Sequence, residues 1–197
     1  DELGGLSRQQ AFLLTTLVWV VLPVFGALPF IYGAPSASYT DAYFEAMSGL
    51  TTTGATVMSG LESAPAGMLF WRALLQWYGG VGIVVFAMVF LPALKVGGMQ
   101  FFRSESFDIG TDILPRAAEV AASLFSIYLT LTVTCLLAYA ATGMTPFDAL
   151  CHSMTTVSTG GFSTHDASIG FYRDSGHANY RAIEYALTVM MMLGGIN

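Results

Sequence analysis

The 197-residue chain carries 10% charged side chains, a net charge of −6 and a mean hydropathy of +0.62. Soluble domains are about one quarter charged, so this composition excludes an ordinary water-soluble domain. With acidic loops and no basic patch, it also offers nothing for nucleic acid to bind.

Three stretches carry no charge at all: Gln9 to Thr40, Ala73 to Leu94 and Val120 to Phe147. Each reaches about 20 residues, which at about 1.5 Å per residue crosses a hydrocarbon core of about 30 Å. They predict three transmembrane helices, and an apolar segment from Ala182 to Asn197 predicts the start of a fourth. Both ends read as cuts, since the chain opens on Asp1 and Glu2 without an initiator Met and stops inside the fourth span. An acidic start before so long an apolar run is also unlike a secretory signal. Cys135 and Cys151 lack a partner at disulfide or metal spacing and read as small buried apolar side chains.

Lys and Arg accumulate on the cytoplasmic side of membrane proteins. Arg8 precedes the first span, and Lys95, Arg103 and Arg116 lie between the second and third. The segment 33–67 has only Asp41, Glu45 and Glu62, which places it outside. Pro23 and Pro29 predict a kink at the outer end of the first span.

After that span, TDAYFEAMSGL reads as a helix of about three turns capped by Thr40, too short to span. Thr51, Thr52, Thr53, Gly54, Ala55 and Thr56 follow, and the chain then returns to the second span. This is the order of a re-entrant pore loop. The order recurs: Gly143 ends the third span, Thr145 caps PFDALCHSM, and Thr155 to Phe162 read TTVSTGGF. Asp41, Ala42 and Met47 recur as Asp148, Ala149 and Met154, whereas Thr53-Gly54 recurs as Thr159-Gly160 after a slip of one residue. The result is an internal repeat of about 106 residues with matching flanking spans.

A potassium ion entering a narrow pore loses its water, and backbone carbonyls replace it. Glycine reaches the backbone angles that aim successive carbonyls at one axis, which selects Gly54 and Gly160. Thr and Ser hydroxyls add oxygen atoms suited to hard cations. The short helices point their negative C-terminal ends at the same place. The competing reading is a non-conducting membrane scaffold in which the glycines only pack helices. No Ser/His/Asp, Cys/His or carboxylate constellation suggests an enzyme.

Three stretches, SGLTTTGAT, FWRALLQWYGGVGIVVFAMVFLPALKVGGMQ and GGFSTHDASIG, resemble the Trk/Ktr/HKT superfamily of potassium uptake proteins over nearly the whole chain. The resemblance implies an all-α membrane protein of tandem helix–pore-loop–helix repeats with the architecture of potassium channels, pseudo-fourfold when complete. It places the first repeat at 8–98, a cytoplasmic linker at 99–111 and most of the second repeat at 112–197. It implies that Thr52, Thr53, Gly54, Ala55, Ser158, Thr159, Gly160 and Gly161 line the filter, with potassium as substrate held at Thr52, Thr53, Gly54, Ser158, Thr159 and Gly160. No covalent cofactor is implied. The third and fourth repeats are expected elsewhere in the same protein, and half a ring alone should not conduct. A homodimer in the bacterial inner membrane, docked on a cytoplasmic nucleotide-binding regulatory subunit, is implied as well.

Other residues have structural readings. Arg72, one turn into the second span, snorkels or pairs with Glu45 or Glu62. Gly79, Gly80 and Gly82 let helices approach closely, with a gating hinge as the other reading. His152, His165 and His177 match no ligand spacing. Pro115 suits a first helical turn.

Overall fold

A computed structural model describes residues 8–33, 36–94 and 113–195, and every regular element among them is helical. The expected linker 99–111 lies outside the described residues. Helix α1 (Arg8–Gly26) contains Pro23, and α2 (Leu28–Tyr32) has Pro29 in its first turn. Ala27 between them keeps helical angles (φ −74°, ψ −25°), so the prolines divide the span without turning the chain back. Phe12–Tyr32 is long and apolar enough to cross a membrane, and Phe12, Leu13, Leu17 and Phe25 face outward along it.

Helices α3 (Tyr39–Leu50) and α6 (Pro146–Val157) have 12 residues each, about 18 Å at the standard rise and too short to span. Ser38, not Thr40, caps α3: its backbone is extended, and its Oγ accepts the Asp41 N–H at 3.2 Å and donates to the Asp41 carboxylate at 2.7 Å. Thr40 already lies inside the helix. Thr145 caps α6 in the expected way, with the same reciprocal pair to Asp148 at 3.1 and 2.8 Å. Such a cap satisfies one of the orphan amides at a helix start.

Helices α4 (Ala66–Leu94) and α5 (Ile113–Ala141) have 29 residues each, with Pro115 in the first turn of α5. Within α5, Ala121–Ala141 is long and apolar enough to cross a membrane. A short helix α7 (Gly170–Asp174) precedes α8 (Tyr180–Gly195). The chain therefore runs long helix, short helix, loop, long helix twice over.

Three apolar clusters join the elements. Ala27, Phe30, Ala42, Ala46, Leu50 and Leu75 pack α2, α3 and α4 together. Cys135, Tyr139, Ala149, Val157 and Ile183 lie in the cluster that packs α5, α6 and α8. Ala73, Cys151 and Met154 form the seam between the halves. Both cysteines are free, buried thiols. Glycine makes the closest approaches: a β-carbon on Gly79 would fall on the Leu50 carbonyl, and one on Gly194 would lie 2.6 Å from the Val157 carbonyl. Thus α8 lies on the end of α6 as α4 lies on the end of α3. One on Gly80 would lie 2.9 Å from Ser158, whereas Gly82 has nothing within 4 Å.

Candidate functional site

Both loops leave their short helices by one hydrogen-bond pattern. Thr52 N–H bonds the Gly49 carbonyl and Thr53 N–H that of Ser48, each at 2.9 Å; Thr159 N–H bonds Thr156 and Gly160 N–H bonds Thr155, also at 2.9 Å. Gly54 and Gly161 reach the same two deeper carbonyls at 3.5 and 3.4 Å. Backbone angles repeat with them: φ is +54° at Thr52 and +55° at Thr159, +77° at Gly54 and +84° at Gly161. Every pair is 107 positions apart, the offset that also relates Ser38 to Thr145 and Asp41 to Asp148. The slip of one residue expected from matching Thr-Gly with Thr-Gly does not occur. Gly54 corresponds to Gly161, and Gly160 corresponds to Thr53.

That register changes why Gly160 is glycine. Its φ is not among the positive values, so its backbone does not require it. Instead, a β-carbon there would fall on the side chain of Gln76 from α4. At Gly54 both reasons apply, since φ is left-handed and a β-carbon would fall on the Gly160 carbonyl oxygen. The two loops meet backbone to backbone.

Thr53, Ala55, Thr159 and Gly161 are exposed, Thr52 and Gly54 half-buried, and Ser158 and Gly160 buried. The Ser158 hydroxyl is occupied by the Thr155 carbonyl at 3.1 Å, and the Thr51 and Thr53 hydroxyls bond each other at 2.8 Å. Among the described residues, no donor is bonded to the carbonyls of Thr52, Thr53, Gly54, Thr159, Gly160 or Gly161. A backbone carbonyl without an internal partner keeps lone pairs of the kind a hard cation can use.

A buried polar network holds these loops from behind. Arg72, 1% exposed, donates Nε to Glu45 Oε1 at 2.8 Å, Nη1 to the Ser163 carbonyl at 2.8 Å and Nη2 to the Thr56 hydroxyl at 3.1 Å. Its guanidinium lies 4.2 Å from the Phe162 ring centre. Glu45 also accepts the Thr56 hydroxyl at 2.8 Å and the Val57 N–H at 3.2 Å. Of the two carboxylates open to Arg72, the structure selects Glu45; Glu62 instead accepts the Asp166 N–H at 3.0 Å. In the second loop His152 stands where Glu45 stands in the first, with its ring nitrogens on the Asp148 carbonyl at 2.8 Å and the Ser163 hydroxyl at 3.0 Å. Asp166 ties the turns that follow the two loops together, accepting the Gly60 and Leu61 N–H groups at 2.7 and 3.0 Å.

Gln76 went unnoticed in the sequence. Its Oε1 accepts the Phe162 N–H at 3.0 Å. The available signal was a carboxamide in the uncharged stretch that begins at Ala73, four residues after Arg72 and hence on the same face. His165 packs on Phe171 at 3.6 Å between centroids, and His177 lies on the Gly143 carbonyl at 3.4 Å. Among the described residues, no group of three His, Cys, Asp or Glu side chains is placed to hold a metal ion.

The TrkH family model, described as a cation transport protein, matches residues 5–197. The chain belongs to the TrkH family. It is 48% identical over its whole length to the Trk system potassium uptake protein TrkH of Escherichia coli (strain K12). It is 54% identical over 170 residues, 85% of the chain, to TrkH of Halomonas elongata. Among solved structures, the potassium transporter TrkH from Vibrio parahaemolyticus superposes with a TM-score of 0.82 at 45% identity over 97% of the chain. The chain spans 40% of the Escherichia coli protein and 36% of the Vibrio structure's chain. The TrkH likeness makes this an all-α membrane protein of a transporter family and not an enzyme.

Proposed function

We propose that in the full-length protein this TrkH segment supplies half of a potassium-selective filter for uptake across the bacterial cytoplasmic membrane. The carrying observation is the pair of loops, related by one backbone pattern, whose carbonyls lack internal hydrogen bonds and whose backbones come together at Gly54 and Gly160, just past the ends of two short helices. Each helix end adds about half a negative charge. Thr52, Thr53, Gly54 and Ala55 line the pathway beside Ser158, Thr159, Gly160 and Gly161, and in the 107-residue register Gly161 takes the part of Gly54. The repeats are taken as 8–98 and 112–197 around the linker 99–111, with the loops outside.

Two further repeats of the same protein close the ring, because a bare ion needs oxygen ligands from all sides. A homodimer with a cytoplasmic nucleotide-binding regulatory subunit completes the assembly. The bilayer covers the outward apolar faces of α1 and α5.

The test is Gly54→Ser in full-length protein in proteoliposomes, with rubidium flux measured against sodium competition. Expected is lost uptake, or a discrimination between the two ions loosened by about tenfold, which corresponds to about 1.4 kcal/mol between ions. Flux and discrimination equal to the parent protein would favour the scaffold reading.

A further inference from the structure

We propose that Gln76 is the positioning residue that fixes the direction of the filter carbonyl at Gly161, an inference that rests on reading the two loops as a filter. Gln76 belongs to α4, the second long helix of the first half, yet it bonds the loop of the second half. Its side chain is fully buried. The Phe162 N–H is a donor, so the group 3.0 Å from it is the carboxamide oxygen, and the amide orientation follows. The same carboxamide lies flush on Gly160, where a β-carbon would come within 2.7 Å of Nε2.

The consequence comes from peptide geometry. The Phe162 N–H and the Gly161 carbonyl belong to one planar trans peptide unit, in which they point in opposite directions. With the N–H held on Gln76, the Gly161 carbonyl is aimed away from that side chain, and Gly161 itself is exposed. Gly161 has φ +84° and no β-carbon to resist rotation of the adjoining peptide. Nothing in the residue itself keeps that peptide from turning over. Gln76 supplies the constraint from outside the loop, and the absence of a side chain at Gly160 lets it come close enough to do so.

The experiment compares Gln76→Met, of similar volume without the acceptor, with Gln76→Glu, which keeps an oxygen towards Phe162. Both are made in the full-length protein and read in proteoliposomes for rubidium against sodium, beside Gly54→Ser and a detergent melting curve. Expected is about a tenfold loss of discrimination in Gln76→Met with an unchanged melting temperature, and discrimination within about threefold of the parent in Gln76→Glu. If Gln76→Met does not assemble, Gln76→Asn is read instead: it is one methylene short of Phe162, so the same loss is expected. Parental discrimination in Gln76→Met, or in Gln76→Asn where that stands in, would overturn the proposal and leave Gln76 as a space filler. Equal loss in Gln76→Glu and Gln76→Met would also overturn it. If Gly54→Ser keeps parental discrimination too, the filter reading itself fails; if only the Gln76 variants do, only this inference fails.

Discussion

A guanidinium with 1% exposure is costly to bury unless its N–H groups meet acceptors, and Arg72 meets Glu45, Thr56 and the Ser163 carbonyl. Removing one member of a buried pair leaves the other charge uncompensated, which costs about 3–5 kcal/mol, whereas replacing both costs far less. Glu45→Ala or Arg72→Met should each lower the detergent melting temperature of the full-length protein sharply. The double variant should lose clearly less than the sum of the two. Simple additivity in that cycle would show that the two side chains do not act as a pair. The sequence presented Arg72 with two carboxylates and could not choose, because Glu45 reaches it only through the return of α3 alongside α4. Gln76 was harder still to read, since its partner is a backbone amide 86 positions away.

At the scale of elements, the three glycines of α4 separate into different cases. Gly79 lies on the Leu50 carbonyl and Gly80 on Ser158 and the Tyr128 hydroxyl, while Gly82 faces open space. Gly79→Ala should therefore force α4 off the end of α3, a shift of backbone against backbone that flexible side chains cannot absorb. Gly82→Ala should be neutral or slightly stabilising, because alanine is the better helix former. Melting temperature and yield of assembled full-length protein measure the contrast, and equal effects at both positions would contradict the packing described. The short helices were legible from length, composition and Thr145, because a 12-residue helix between spans has no other use for its ends. The loop register was not legible. Two Thr-Gly pairs invite alignment with each other, but the carbonyls at the helix ends pair by position, and a glycine demanded by a neighbouring side chain looks in sequence like one demanded by φ.

Over the whole molecule, the two halves share one plan and one insertion. Gly79 lies 29 positions after Leu50, whereas Gly194 lies 37 after Val157, and α7 with its turns occupies the added length. Hydropathy made the spans readable. It was silent on the ties that cross between halves, which use single polar groups far apart in sequence. Asp166 is one of these, and its carboxylate is held below the ordinary carboxylate range by hydrogen bonds from the Leu61 and Gly60 amides. A carboxyl whose folded pKa is depressed contributes its stabilisation above the unfolded value, and that contribution is lost as pH falls through the folded pKa. Hydrogen exchange at Gly60 and Leu61, corrected for intrinsic rate, should thus show constant protection from neutral pH down to about 4, the free aspartate value, and a decline below it. Asp166→Asn should show weaker protection at those two amides across the whole range, because a neutral amide oxygen accepts less strongly than a carboxylate. Protection that stays constant through the acid range in the parent protein would mean that these turns are held by something other than this charge.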